Sequence, residues 1–152
     1  MSDVVNKITR SRMMAGIKGK DTQPELIIRK RLHALGFRYN LHDTKLPGKP
    51  DLVFPKYKAV IFVNGCFWHG HNCYLFKWPS SNDDFWQKKI TRTIEKDKEN
   101  ISQLENSGWR ILQIWECAIK GRERRSISEV ILLTSNWLKS GSVFSEISGK
   151  KP

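Results

Sequence analysis

Ala59-Val60-Ile61-Phe62-Val63 runs without a break into Asn64-Gly65-Cys66-Phe67-Trp68-His69-Gly70-His71-Asn72-Cys73. The first five residues form a short continuous apolar run, the pattern of a strand buried on both faces. The ten that follow suit neither a strand nor a helix, and they carry two of the chain's three cysteines and two of its four histidines. Cys66, His71 and Cys73, with the distant Cys117, make a candidate zinc site, because thiolate and imidazole are the ligands Zn²⁺ prefers. Four such ligands leave no open coordination position, so the metal would be structural. Two other readings exist. Three buried cysteines can act as small hydrophobes, which leaves His71 among them unexplained. A disulfide framework would leave one cysteine unpaired in a chain without a signal peptide.

Working outward, the apolar run becomes the third of several elements. Thr22-Gln23-Pro24-Glu25 has capping-box spacing with Pro in the first turn. Leu26, Ile28, Leu32 and Leu35 follow at helical spacing until Gly36 stops the helix. Phe37 to Leu41 is expected to be a strand and Asp51 to Phe54 a second, joined to the third by the hairpin-length Pro55-Lys56-Tyr57-Lys58. Asp83 to Ser107 carries Phe85, Ile90, Ile94, Ile101 and Leu104 on a charged background and reads as a long helix ended by Gly108. Trp109 to Trp115 reads as a strand that delivers Cys117 just past its end, and Ile127 to Leu138 as a closing helix. The order predicts an α/β sandwich with a mixed central sheet. Residues 1–20 are expected to be a basic arm, 21–139 a single domain with the zinc loop at 64–78, and 140–152 a frayed Ser-, Gly- and Lys-rich tail.

A chain of 152 residues with six Trp, seven Phe and three Tyr is long enough for one real core. No apolar run approaches the ~20 residues of a membrane span, so no membrane partner and a cytoplasmic location are expected. The formal net charge of +12 makes polyanions the expected partners. Lys7, Arg10, Arg12, Lys18, Lys20, Arg29, Lys30 and Arg31 crowd the first thirty-one residues, which suits salt-dependent contact with phosphates. An ordinary solubilising surface or an anionic-membrane patch would carry the same charge. The reactive and aromatic groups that follow favour nucleic acid.

With the zinc sphere filled, chemistry must sit beside it. His69 is the histidine left over, and Asp51 ends Lys45-Leu46-Pro47-Gly48-Lys49-Pro50-Asp51. Antiparallel pairing of the second and third strands would bring Asp51, the backbone of Val63 and His69 to one edge. A carboxylate beside a phosphate-binding surface suits Mg²⁺, which takes oxygen ligands and keeps waters and substrate phosphates. A nearby neutral imidazole can take a proton from attacking water. These groups support hydrolysis of a phosphodiester.

Leu46-Pro47-Gly48-Lys49-Pro50-Asp51, Gly65-Cys66-Phe67-Trp68-His69, Phe85-Trp86 and Trp115-Glu116-Cys117-Ala118 together resemble the very short patch repair (Vsr) mismatch endonucleases, from about Thr9 to Leu138. The resemblance implies a restriction-endonuclease-like three-layer fold, a structural zinc, and Mg²⁺-dependent nicking of the thymine strand at T:G mismatches in double-stranded DNA by a monomer. It implies Asp51 and the main-chain carbonyl of Val63 as Mg²⁺ ligands and His69 as general base. Glu25 matches a helix carboxylate that supports water around the metal, a role that competes with its place in the capping box. Asp97, on the long helix, is a candidate to orient His69. Phe67, Trp68 and Trp86 match an aromatic wedge that inserts beside the mispaired bases, where unstacking is cheapest. Met14 and the basic arm match a segment that reaches round the duplex. Lys89 matches a position near the mismatch, with a solvated helical lysine as its alternative.

Two positions depart from the family pattern. Asn64 stands where a second active-site histidine is expected; its amide can donate to phosphate but cannot exchange a proton at neutral pH. Thr93 replaces an expected amide. Two rival functions remain at this level: a restriction-type endonuclease acting on matched duplex, and a zinc-stabilised DNA-binding module without catalysis.

Overall fold

In the computed structural model, residues 22–80 and 83–150 are described. The first helix, α1 (Gln23–Ala34), starts where the capping residue predicts: Thr22 Oγ1 accepts the Glu25 N–H at 3.4 Å. Its end is a Schellman motif. The Phe37 N–H reaches the Leu32 carbonyl at 3.1 Å and the Gly36 N–H the His33 carbonyl at 3.0 Å, with Gly36 at φ +97°, a conformation glycine adopts without a Cβ penalty. Ile28 and Leu32 on its inner face are fully buried, each worth ~1.5–3 kcal/mol in removed apolar surface.

Five strands follow in sheet order β1-β2-β3-β4-β5: β1 (Asn40–Leu41), β2 (Leu52–Phe54), β3 (Ala59–Asn64), β4 (Arg110–Trp115) and β5 (Phe144–Ile147). The β1-β2 and β2-β3 pairs are antiparallel, and β3-β4 and β4-β5 are parallel. The β2-β3 hairpin is closed by a 3₁₀ turn over Pro55–Tyr57, with Lys58 left-handed at φ +52°. The parallel β3-β4 pair needs a long crossover, supplied by α2 (Asp83–Asn106). The last helix, α3 (Ile127–Lys139), starts at Ser126, whose hydroxyl accepts the Glu129 N–H at 3.1 Å.

Period-2 alternation along the strands splits the core into two layers. Leu52, Phe54, Ala59, Ile61, Leu112 and Ile114 face α1 and α3, packing with Ile28, Leu32, Val130 and Trp137. Val53, Val60 and Ile111 face the opposite way, against Leu104 of α2. The protein is therefore a mixed α/β structure with helices on both faces of a five-stranded mixed sheet. No helix among the described residues is long and apolar enough to cross a membrane.

Two expectations require correction. The strand expected over Phe37 to Leu41 contracts to Asn40–Leu41, because Phe37 is spent on the helix cap and the core while the Tyr39 hydroxyl donates to the Arg29 carbonyl at 2.7 Å. The frayed tail expected from residue 140 is instead part of the sheet. Phe144–Ile147 pairs with Ile111–Ile114, and Ile147 is buried in the main core. The basic arm of residues 1–20, with Met14, lies outside the described residues.

Candidate active site and metal cluster

The sheet delivers distant residues to one edge. Because β3 and β4 are parallel with Asn64 opposite Trp115, the chain leaves both strands side by side, and Cys66 and Cys117 each follow two residues beyond that pair. In β5, Ile147 lies opposite Ile114, so Gly149 arrives beside Cys117. Since β2 runs antiparallel to β3 with Leu52 opposite Ile61, Asp51 enters from the same end. The carboxyl ends of parallel strands are a favoured place for sites in such sheets.

Cys66, His71, Cys73 and Cys117 offer ligand atoms that all lie within 4.8 Å of one another. Cys66 Sγ is 3.5 Å and Cys117 Sγ 3.7 Å from His71 Nδ1. A tetrahedral ion with bonds of ~2.3 Å to sulfur and ~2.0 Å to nitrogen sets S···N separations of about 3.6 Å, so the spacing fits a metal. Backbone donors support thiolates: the Cys117 N–H points at Cys66 Sγ (3.3 Å) and the Gly149 N–H at Cys117 Sγ (3.2 Å). Burial pushes both thiols up and pulls the His71 imidazole down. The neutral imidazole is the ligand form, and a cation would offset the cost of buried thiolates. Trp115 stacks on His71 with centroids 4.0 Å apart and planes 11° apart, which fixes the ring.

Beside this cluster the Asp51 carboxylate accepts the Val63 N–H at 2.7 Å, so the carboxylate and the Val63 backbone are brought together. Its ligand oxygen lies within 4.8 Å of ligand atoms of Glu25 and His42. Burial pushes the Asp51 carboxyl up to about 7; the Glu25 charge adds to the rise, while the Val63 N–H and His42 oppose it. Glu25, at 1% exposure, turns its side chain to this site: Oε2 meets Arg29 at 2.9 Å and His42 Nε2 at 2.8 Å. Its backbone N–H is bound by the cap while its carboxylate faces Asp51, so the capping position and the site share one residue.

His69 and Asp97 meet with Nδ1 and Oδ2 2.6 Å apart, across the gap between the loop after β3 and α2. Gly70 permits this approach: at φ +60°, it lies so close to α2 that a Cβ would come within 2.7 Å of Ile94 and 2.9 Å of Ile90. Asn64 ends β3, buried, and its Nδ2 has no hydrogen-bond partner among the described residues. Phe67, Trp68 and Trp86 form a half-buried aromatic cluster, with ring centroids 5.2 to 5.8 Å apart. Phe76, Trp78 and Phe85 extend it outward, the last two exposed. Lys89 is exposed on α2, its carbonyl accepting from the Thr93 hydroxyl at 3.0 Å.

Sequence reasoning missed His42, Trp115 and Gly149. Trp115 was legible as a strand residue and as part of a family block, but not as the ring that stacks on His71. Nothing local marks a tail glycine as a neighbour of the cysteine–histidine cluster, and His42, four residues before Leu46, belongs to none of the quoted motifs.

A profile of the family described as DNA mismatch endonuclease Vsr matches residues 2–75. The chain is 42% identical over 138 residues to the DNA mismatch endonuclease Vsr of Escherichia coli, covering 91% of this chain and 88% of the relative. It is 44% identical to the type II nicking enzyme V.NmeAIP of Neisseria meningitidis serogroup A, over 80% of this chain and 87% of that protein. A further type II nicking enzyme, V.XorIIP of Xanthomonas oryzae, is 40% identical over 78% of this chain and 88% of its own length. With similarity of that depth over most of its length, the chain belongs to the Vsr family of DNA mismatch endonucleases and is a DNA-cleaving hydrolase.

Proposed function

We propose that this endonuclease nicks the thymine-bearing strand beside T:G mismatches in duplex DNA by Mg²⁺-dependent hydrolysis, acting as a monomer on a restriction-endonuclease-like fold braced by a structural zinc. The observation that carries the reading is the meeting of two carboxylates, the buried Glu25 and the half-buried Asp51, beside the end of β3, the strand whose outgoing loop carries the His69 that pairs with Asp97. The names of the relatives, a mismatch endonuclease and several nicking enzymes, support single-strand cleavage over a double-strand cut.

Asp51 and the Val63 carbonyl would hold the magnesium, with Glu25 supporting its hydration. An oxygen-rich, anionic pocket is the donor set this ion takes, and burial, with the Glu25 charge, raises the Asp51 carboxyl, a cost that a bound cation would offset. When bound, the ion polarises the scissile phosphate. His69 acts as general base. Asp97, which accepts hydrogen bonds only, keeps the proton on Nδ1 and so leaves the Nε2 lone pair for the attacking water. Water gives its proton to His69 Nε2 as its oxygen bonds to phosphorus, the ester P–O bond breaks, and the leaving oxygen takes a proton from solvent. Asn64 Nδ2, a buried donor, is suited to hydrogen-bond a phosphate oxygen and replaces any second imidazole.

Phe67, Trp68 and Trp86 present aromatic faces that can insert beside mispaired bases, where stacking is already weak. Lys89 on the adjoining helix, and Met14 with the basic arm, contribute contacts along the duplex. The four-ligand cluster holds Zn²⁺ and takes no part in hydrolysis, because no coordination position is left.

Strand-resolved cleavage of T:G and matched duplexes with Mg²⁺ tests the reading. Nicking of the thymine strand in the mismatched duplex, abolished in Asp51→Ala, is expected. Cutting of both strands in matched duplex would instead establish a restriction-type enzyme. Binding without cleavage would leave only a DNA-binding module.

A further inference from the structure

His42 follows β1 immediately and sits in the left-handed region, at φ +48°. For a residue with a Cβ that conformation is strained and persists only where the surroundings enforce it. Two contacts do so here. The His42 N–H donates to the Asp51 carbonyl at 3.0 Å, extending the β1-β2 pairing by one step past Leu41 and Leu52. The left-handed turn at that step carries the imidazole inward, where Nε2 meets Glu25 Oε2 at 2.8 Å.

We propose that His42 is a positioning residue of the cation site: its imidazole, through Nε2, fixes the Glu25 carboxylate beside Asp51, and the backbone of the same residue ties that carboxylate pair to the sheet. The inference rests on the reading of Asp51 as a cation ligand. Two carboxylates held this close repel each other, and without fixed donors the mobile one would swing away. Arg29 supplies one donor to Glu25 Oε2, from the next turn of α1. His42 supplies a second from a different element, on the same oxygen. Donors from two directions define an orientation that one helical neighbour alone does not. The arrangement preorganises the pair for a divalent ion.

The test uses Mn²⁺ binding to the zinc-loaded full chain without DNA, followed by electron paramagnetic resonance, so that the readout does not pass through catalysis. His42→Gly suits the φ of +48° and removes only the imidazole; Mn²⁺ affinity should fall about tenfold with no loss of thermal stability. His42→Gln offers an amide N–H at similar reach and should stay within about threefold of wild type. The cation concentration that half-saturates nicking should shift by the same factors, with DNA affinity in the absence of cation unchanged. Wild-type Mn²⁺ affinity in His42→Gly overturns the inference. So does a glutamine variant as weak as the glycine variant, since the imidazole nitrogen itself would then be required. Absence of Mn²⁺ binding and of nicking in the wild-type chain would instead remove the catalytic reading on which the inference rests.

Discussion

Removing the acceptor behind His69 isolates the orienting role of Asp97. The bond is short, 2.6 Å, and both side chains are about one-quarter exposed, His69 at 26% and Asp97 at 25%. A hydrogen bond to a charged group is worth ~1.5–3 kcal/mol, and screening at this exposure favours the lower half of that range. At about 1.4 kcal/mol per tenfold change in rate, Asp97→Ala should lower the single-turnover nicking rate by about 10- to 40-fold. Asp97→Asn should lose at least as much. An asparagine turned to donate its amide to Nδ1 drives the imidazole proton onto Nε2 and removes the lone pair that the base needs. The assay is single-turnover cleavage of a T:G duplex at saturating Mg²⁺, with duplex affinity, zinc content and melting temperature measured on the same preparations. Asp97→Ala nicking within twofold of wild type would refute the reasoning. A rate loss matched by lost zinc would equally show that Asp97 braces the loop and does not orient the base.

Other outcomes follow from the same edge of the sheet. Metal analysis should find one zinc per chain, and Cys117→Ser should lose it and melt far lower, because structural zinc binding of ~10–16 kcal/mol rivals the whole stability of a domain; retention of both zinc and melting temperature would exclude the assignment. In magnesium-free buffer, Asp51→Asn should stabilise the protein at pH 8 and much less at pH 5. A folded-state pKa raised to about 7 contributes stability that is present below the unfolded value near 4 and lost as pH rises through 7, an effect on the order of a few kcal/mol. Equal shifts in melting temperature at the two pH values would contradict it. Gly149→Ala should destabilise by ~1–3 kcal/mol, since its Cβ would sit 2.7 Å from the Cys117 carbonyl and 2.8 Å from that of Glu123, both backbone. An unchanged thermal unfolding curve would show that the tail is not held against the cluster.

The elements that were legible in the sequence are those whose cause is local. Thr22 and Gly36 bracket α1 as their capping chemistry requires, and Gly108 follows the end of α2. The apolar runs at 59–63 and 109–115 became β3 and β4. β5 escaped notice because it is an edge strand whose only buried member is Ile147, set among Ser, Gly and Lys. Its stability comes from pairing with β4, which no feature of its own composition announces.

The candidate site divides in the same way. Residue type alone nominated Cys66, His71, Cys73 and Cys117 as ligands, and Asp51 and His69 as reactive groups, because few other side chains bind zinc or exchange protons near neutral pH. Tertiary structure alone decided that His42 holds Glu25 and that Gly149 donates to Cys117, and it supplied the contacts by which Glu25 faces Asp51 and Asp97 reaches His69, two pairings that the family resemblance had only nominated. Each of those contacts joins residues 17 to 32 positions apart in the chain. Such pairs are set by strand register and helix packing, which depend on the summed hydrogen bonding and burial of the whole chain, whereas the chemistry of a thiol, an imidazole or a carboxylate is carried by the residue itself.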